Sequence, residues 1–175
     1  MAPSTRDVQH AWTCSCCGKQ FDSLPLDRAF AAPAYWSSIP EAERAERGKL
    51  SADFCTVDEH FFIRGCLEVP ILGTDEKFVW GSWVSQSAAS FERAMELFDR
   101  EPDPEEEARF GWFSNDIGLY EPTTLGLKTN VRFRSRTLRP LIELQPSDHP
   151  LAIEQSNGIT FERVQEIITA IMPRH

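Results

Sequence analysis

The chain lacks the short signatures that mark most nucleotide, hydrolase and metalloprotease sites. No Gly-x-Gly-x-x-Gly, phosphate loop, Gly-x-Ser-x-Gly elbow or His-Glu-x-x-His occurs in its 175 residues, so chemistries built on those turns and ligand spacings have no foothold here. Internal repeats and low-complexity tracts are absent too, which argues against solenoids and flexible arrays. No run of about eighteen apolar residues could cross a bilayer, and Met1–Ala11 carries Arg6 without the apolar core of a secretory signal. The expectation is a cytoplasmic protein, not a membrane protein. Positive charge is scarce as well: 18 lysines and arginines stand against 27 acidic residues, for a net charge of -9. That balance opposes phosphate backbones, so nucleic acid is not an expected partner, whereas a basic protein or a small molecule is compatible with it. The densest basic stretch, Lys128, Arg132, Arg134, Arg136 and Arg139 around Val131 and Phe133, reads as a strand with one solvated face.

What is present suits one domain. At 41% hydrophobic residues the chain can bury a substantial core, and it is too short for two full domains. Residues 1–11 read as a flexible tail and 12–175 as the globular part. The centre is a pair of strand-like runs followed by a helix-like run. In Phe61–Ile71 the residues Phe61, Ile63, Gly65, Leu67 and Val69 share one face, and Phe62, Arg64, Cys66 and Glu68 the other. In Phe78–Val84 both faces are bulky, which suits a central strand covered twice. The polar turn between them, Leu72–Lys77, is too short for a crossover helix, so the pairing should be antiparallel.

Around this hairpin, Ser51–Val57 reads as a strand that pairs with it. Leu127–Arg134 and Pro140–Leu144 form a second antiparallel hairpin across the short link Ser135–Arg139. Ser85 and Ser87 are candidate caps of a helix from about Ser87 to Arg100, whose stripe Phe91, Ala94, Met95 and Phe98 covers the sheet. Thr160 caps a final helix to Met172 with Phe161, Val164, Ile167, Ile168 and Ile171 on one side. Pro40–Gly48 is a short surface helix closed by glycine. Asp22–Ile39, rich in proline and aromatics, reads as irregular, Phe110–Phe113 as a short apolar run and Ser114–Pro122 as loop. The fold expected is α+β, a mainly antiparallel sheet of about five strands with two packing helices and a Cys-rich N-terminal turn.

Five cysteines, three of them in Cys14-Ser15-Cys16-Cys17, fit a reducing compartment better than a disulfide framework. Cys14-x-x-Cys17-Gly18 has the form of half a zinc knuckle, two thiolates on a tight turn with a glycine after it. A structural zinc would need two more ligands, and Cys55 and Cys66 complete the proposed set, with Cys16 or His60 able to stand in for Cys66. The competing reading is a turn with buried, inert thiols. Thiol redox work at Cys14 and Cys17 lacks the βαβ context that would support it.

Asp148-His149 is the most suggestive polar pair, although adjacent side chains diverge and no nucleophile accompanies them. A turn capped by Asp148, with His149 bonded locally, is the simpler reading. Arg64, Trp80, Trp112, Asp148 and His149 form a candidate ligand pocket if the fold gathers them, which would suit a small enzyme, as would a metal at the cysteine cluster that keeps an open coordination position. Ahead of that stands a non-enzymatic binding or interaction protein stabilised by zinc, in concrete form an immunity protein whose acidity captures a basic toxin.

Taken together, Cys14–Gly18, Ala32–Trp36, Phe61–Cys66, Phe78–Val84 and Asp148–Ala152 resemble an uncharacterised bacterial family, a domain of unknown function of the DUF2199 type. The resemblance runs from Trp12 onward. It implies a compact bacterial cytoplasmic domain that opens with Cys-x-x-Cys-Gly, here Cys14 and Cys17, and it assigns no catalytic residue.

Overall fold

A computed structural model describes residues 25–171 together with the backbone of 12–13 and 20–21. The framework is the expected hairpin, made of β6 (His60–Pro70) and β7 (Lys77–Gln86), antiparallel along its whole length with Ile63 opposite Val84 and Leu67 opposite Trp80. The turn between them closes with Gly73 at φ +80°, a conformation glycine takes without strain. Alternation along β6 puts Ile63, Leu67 and Val69 into the larger core with Phe78, Trp80 and Val84. The opposite face carries Phe62 and Trp83 into a smaller core with Ile39, Cys55 and Val57. The hairpin is thus covered on both sides.

The sheet has eight strands and is mixed, where the sequence suggested about five mainly antiparallel ones. The outer edge of β6 is divided between two partners. Its first residues pair antiparallel with β5 (Phe54–Val57), which in turn pairs with β4 (Gly48–Leu50). Further along, Cys66 meets Leu141 of β10 (Leu141–Leu144) in parallel. Beyond β10 come β9 (Lys128–Arg132) and β8 (Arg109–Trp112), both antiparallel. The meander then curls back until Phe113 bridges Val84 on the far side of β7. The other stretch of that side takes β3 (Asp27–Ala29) in parallel. β3, β4 and β8 are only three or four residues long, too short to show a period in the sequence. Strands β1 (Trp12–Thr13) and β2 (Gln20–Phe21) pair separately as an antiparallel ladder.

Five helices are described where the sequence suggested two packing helices and one surface helix. The surface helix, α2 (Glu41–Arg47), buries none of its residues, as expected. α1 (Ala34–Ser38) lies within the stretch read as irregular, and the nearby Phe30 and Trp36 pack on the smaller core. α3 (Ala88–Leu97) starts on Ser87, whose hydroxyl accepts the Ser90 N–H, and buries Phe91 and Ala94. Met95 and Phe98 of the expected stripe are instead half exposed, although Phe98, the residue that ends the helix, packs edge-on against Phe54 at 5.4 Å. α4 (Pro150–Asn157) was missed entirely. Its apolar residues are few, yet Leu151 is fully buried, and His149 caps its first turn. α5 (Phe161–Ile171) follows its sequence pattern, with Val164, Ile167 and Ile168 buried and Thr160 capping through the Arg163 N–H. No described helix is long and apolar enough to cross a membrane.

Candidate ligand cleft

A cleft of about 460 Å³ opens where the edge of β6 passes from β5 to β10. The Arg64 N–H donates to the Asp53 carbonyl on the β5 side, and two residues on the Cys66 N–H donates to Pro140 on the β10 side. Gly65 sits between them at the narrowest approach. A Cβ there would lie 2.8 Å from the Pro140 carbonyl and 2.9 Å from Cγ1 of Ile142. The lack of a side chain is what lets β10 dock. Phe54 of β5, Ile63 of β6 and Ala94, Leu97 and Phe98 of α3 and its end give the cleft an apolar wall, and the 133–140 link, which begins with Phe133, forms the other side.

That link holds the charge. Arg134, Arg136 and Arg139 line the cleft together with Arg64, against Asp53 and Asp99. Three of the arginines have acidic partners. Arg139 Nε donates to Asp53 Oδ1 at 2.8 Å across the mouth. Arg134 donates to Glu68 at 2.9 Å and, through Nε, to the Arg139 carbonyl at 2.7 Å. Arg136 stands 3.8 Å from Glu101. Burial pushes the Glu68 carboxyl up, but hydrogen bonds from Arg134 and Lys77 outweigh it and leave that carboxyl below its ordinary value. Arg64 differs. Its Nη1 reaches the Ala52 carbonyl at 3.4 Å, its Nε is shut off from solvent without an acceptor, and it makes no ion pair among the described residues.

The five residues read as a candidate pocket are not brought together. Arg64 lines this cleft and the other four do not. Trp80 lies in the larger core at 1% exposure, while Trp112 is half exposed beside Phe110 on β8. Asp148 is exposed and His149 is buried. Both nitrogens of His149 are committed, one locally as the simpler reading expected and one to a residue 27 positions earlier, while the turn before it is held by the Ser147 hydroxyl, which accepts the His149 N–H, and not by Asp148. Nδ1 accepts the Leu151 N–H at 3.1 Å, so the proton sits on Nε2, which donates to the Pro122 carbonyl at 2.8 Å. The ring therefore joins α4 to the 113–126 loop and has no free nitrogen for proton transfer.

Of the proposed zinc ligands, Cys14 and Cys17, with the alternative Cys16, lie outside the described residues. Their stretch is flanked in the sequence by β1 and β2, which pair with Trp12 opposite Phe21. Cys55 is fully buried in the smaller core, which pushes its thiol up to about 11. Cys66 is half buried in the cleft wall. Cys55 faces Phe62 across the ladder, and Cys66 lies four residues further along β6, roughly 13 Å away at the rise of a strand. Two thiolates on one zinc stand no more than about 4 Å apart, so a single ion would take one of this pair and not both. The other alternative, His60, packs its ring edge-on against Tyr35 at 4.9 Å. No group of three or more metal-ligating side chains is found among the described residues.

Sequence reasoning missed Arg136, Arg139, Phe98 and Leu138 as cleft residues. One signal was available: the inward alternation of β9 ends at Phe133, and Arg134-Ser135-Arg136 then leaves the strand pattern.

The sequence matches, over residues 13–159, a family described as an uncharacterised protein conserved in bacteria, DUF2199. The chain belongs to that family. No curated protein and no solved structure matches it. The DUF2199 match covers every strand from β2 to β10 and so includes all residues of the cleft.

Proposed function

We propose that this DUF2199 chain is a non-enzymatic binding protein whose ligand, a small molecule with an apolar body, enters the cleft at the divided edge of β6. The supporting observation is the cleft itself: about 460 Å³, apolar on the α3 side and charged on the link side, placed where two strands compete for one edge. Its lining includes no histidine, and its two aspartates lie among four arginines, an arrangement that suits holding a molecule better than moving its protons. The free thiols Cys55 and Cys66 fit the reducing, cytoplasmic setting expected from the sequence.

Binding of the neutral dye Nile red tests this. The expected result is saturable binding of one dye per chain, blocked by Leu97→Trp, which fills the cleft from α3. Binding that persists unchanged in a folded Leu97→Trp variant would place the dye elsewhere and sink the proposal. Capture of a basic toxin rests on net charge alone, and the cleft, whose arginines are balanced by acidic partners, adds nothing to it.

A structural zinc at Cys14 and Cys17 is a second, compatible proposal, favoured by the β1–β2 ladder on either side of them. Native mass spectrometry should find about one zinc per chain, and a chelator should remove it together with part of the folded structure. A metal-free, fully folded protein would count against it.

A further inference from the structure

We propose that the Arg139–Asp53 ion pair is a side-chain latch on the cleft, which must part before a ligand enters, so that ionic strength regulates access. This rests on the cleft being a binding site and adds how that site is opened. The main chain on both sides of the mouth is fixed. On the link side the Pro140 carbonyl accepts the Cys66 N–H at 2.8 Å and the Arg139 carbonyl accepts Arg134 Nε at 2.7 Å, while Arg134 is itself held by Glu68. On the β5 side the Asp53 carbonyl accepts the Arg64 N–H at 3.0 Å, and the Ser51 N–H and hydroxyl bond the Phe54 backbone. Neither main chain can swing away without giving up these bonds. The Arg139 and Asp53 side chains reach out from the two sides and meet at 2.8 Å.

The pair has the make-up of a contact that opens. It is joined at one point, Nε to Oδ1, whereas Arg47–Asp58 and Arg93–Glu106 are gripped through both Nε and Nη2. Its side chains are 41% and 25% exposed, so water competes for both groups and salt screens their attraction. A pair of ordinary exposed strength would leave the mouth open for roughly a sixth to two fifths of the time. The same cleft holds Phe54, Ile63 and Leu97, which an apolar body would cover once inside. Entry is then limited by how often the two side chains part, not by movement of the link.

Stopped-flow association of Nile red tests this, because a neutral dye is not steered by charge. At low salt, association should be about two- to sixfold faster in Arg139→Met and in Asp53→Asn than in the wild type. The double variant should be no faster than either single one, since each removes the same pair. Sodium chloride should speed association with the wild type and leave these variants unchanged. Arg132→Met, whose arginine pairs with Glu143 outside the cleft, should behave as the wild type does. Single variants no faster than the wild type, gains that multiply in the double variant, or an acceleration by salt that the variants share overturn the latch and leave the cleft proposal standing. Dye that fails to bind, or that binds equally well to folded Leu97→Trp, overturns the cleft proposal and the latch with it. The salt series on the wild type needs no variant: association that salt does not speed overturns the latch even where a variant folds poorly.

Discussion

The 113–126 loop and the cleft at the edge of β6 treat their polar groups in opposite ways. Beyond β7, the 113–126 loop is pinned by side chains that are buried and fully bonded. Asn115 accepts the Trp83 N–H at 2.7 Å and donates to the Ala32 carbonyl at 2.9 Å. Thr124 accepts the Ile117 N–H and donates to the Asn115 carbonyl. His149 ties Pro122 to the start of α4. Beyond β6, the cleft leaves Arg64 Nε without an acceptor and Phe98 and Leu138 about half exposed. Bonded polar groups of the first kind hold a fold in one arrangement, and incomplete ones of the second kind mark where another molecule can complete it.

The largest effect should come from breaking the complete side. Asn115→Leu strands the buried Trp83 N–H and the half-buried Ala32 carbonyl and should cost about 2–4 kcal/mol in urea unfolding. A loss under about 1 kcal/mol would mean that the loop is not the rigid element the bonds imply. Gly65→Ala tests the seam between the two sides of the cleft. Its Cβ meets a backbone oxygen at 2.8 Å, so β10 must move, and a loss of about 1–3 kcal/mol is expected. Dye binding should change with it.

The link over the cleft gives a pH test. The folded Glu68 carboxyl lies below its ordinary value of 4.5, so its pairing with Arg134 and Lys77 stabilises the fold above that value. The contribution is lost as pH falls through the depressed folded value. Glu68→Gln should therefore be less stable than wild type near pH 7, with the gap closing under acid. A gap independent of pH would show that the ion pairs contribute nothing. The smallest effect belongs to the incomplete side. Arg64→Met removes a guanidinium with an unsatisfied Nε and should shift stability by less than about 1 kcal/mol in either direction. If Arg64→Met cost as much as Asn115→Leu, the contrast between the two regions would collapse and Arg64 would be structural.

Long periodic elements were legible in the sequence. The register of two in Phe61–Ile71, the doubly covered Phe78–Val84, the hairpin of β9 and β10, and the stripe of α5 all follow from alternation or helical spacing that tertiary contacts did not override. α4 escaped because its burial comes from Leu151 and Ala152 against the sheet, with almost no stripe. The cleft was half legible. Arg64 stood out as a charge on a strand, whereas Arg136 and Arg139 looked like a solvated face, and only closure of the 133–140 link over β6 turns them towards it.

By itself the sequence determined the central hairpin, its two apolar faces, the cap of α5 and the acidic balance of the chain, because each depends on composition or on residues near one another in the chain. Only the tertiary structure decided that β6 shares one edge between β5 and β10, that the sheet is mixed and curls back onto β7, and that both nitrogens of His149 are bonded while Arg64 Nε is not. Those outcomes depend on which distant segments compete for the same backbone edge. Such competition is settled by packing across the whole domain, as at Gly65 and Pro140.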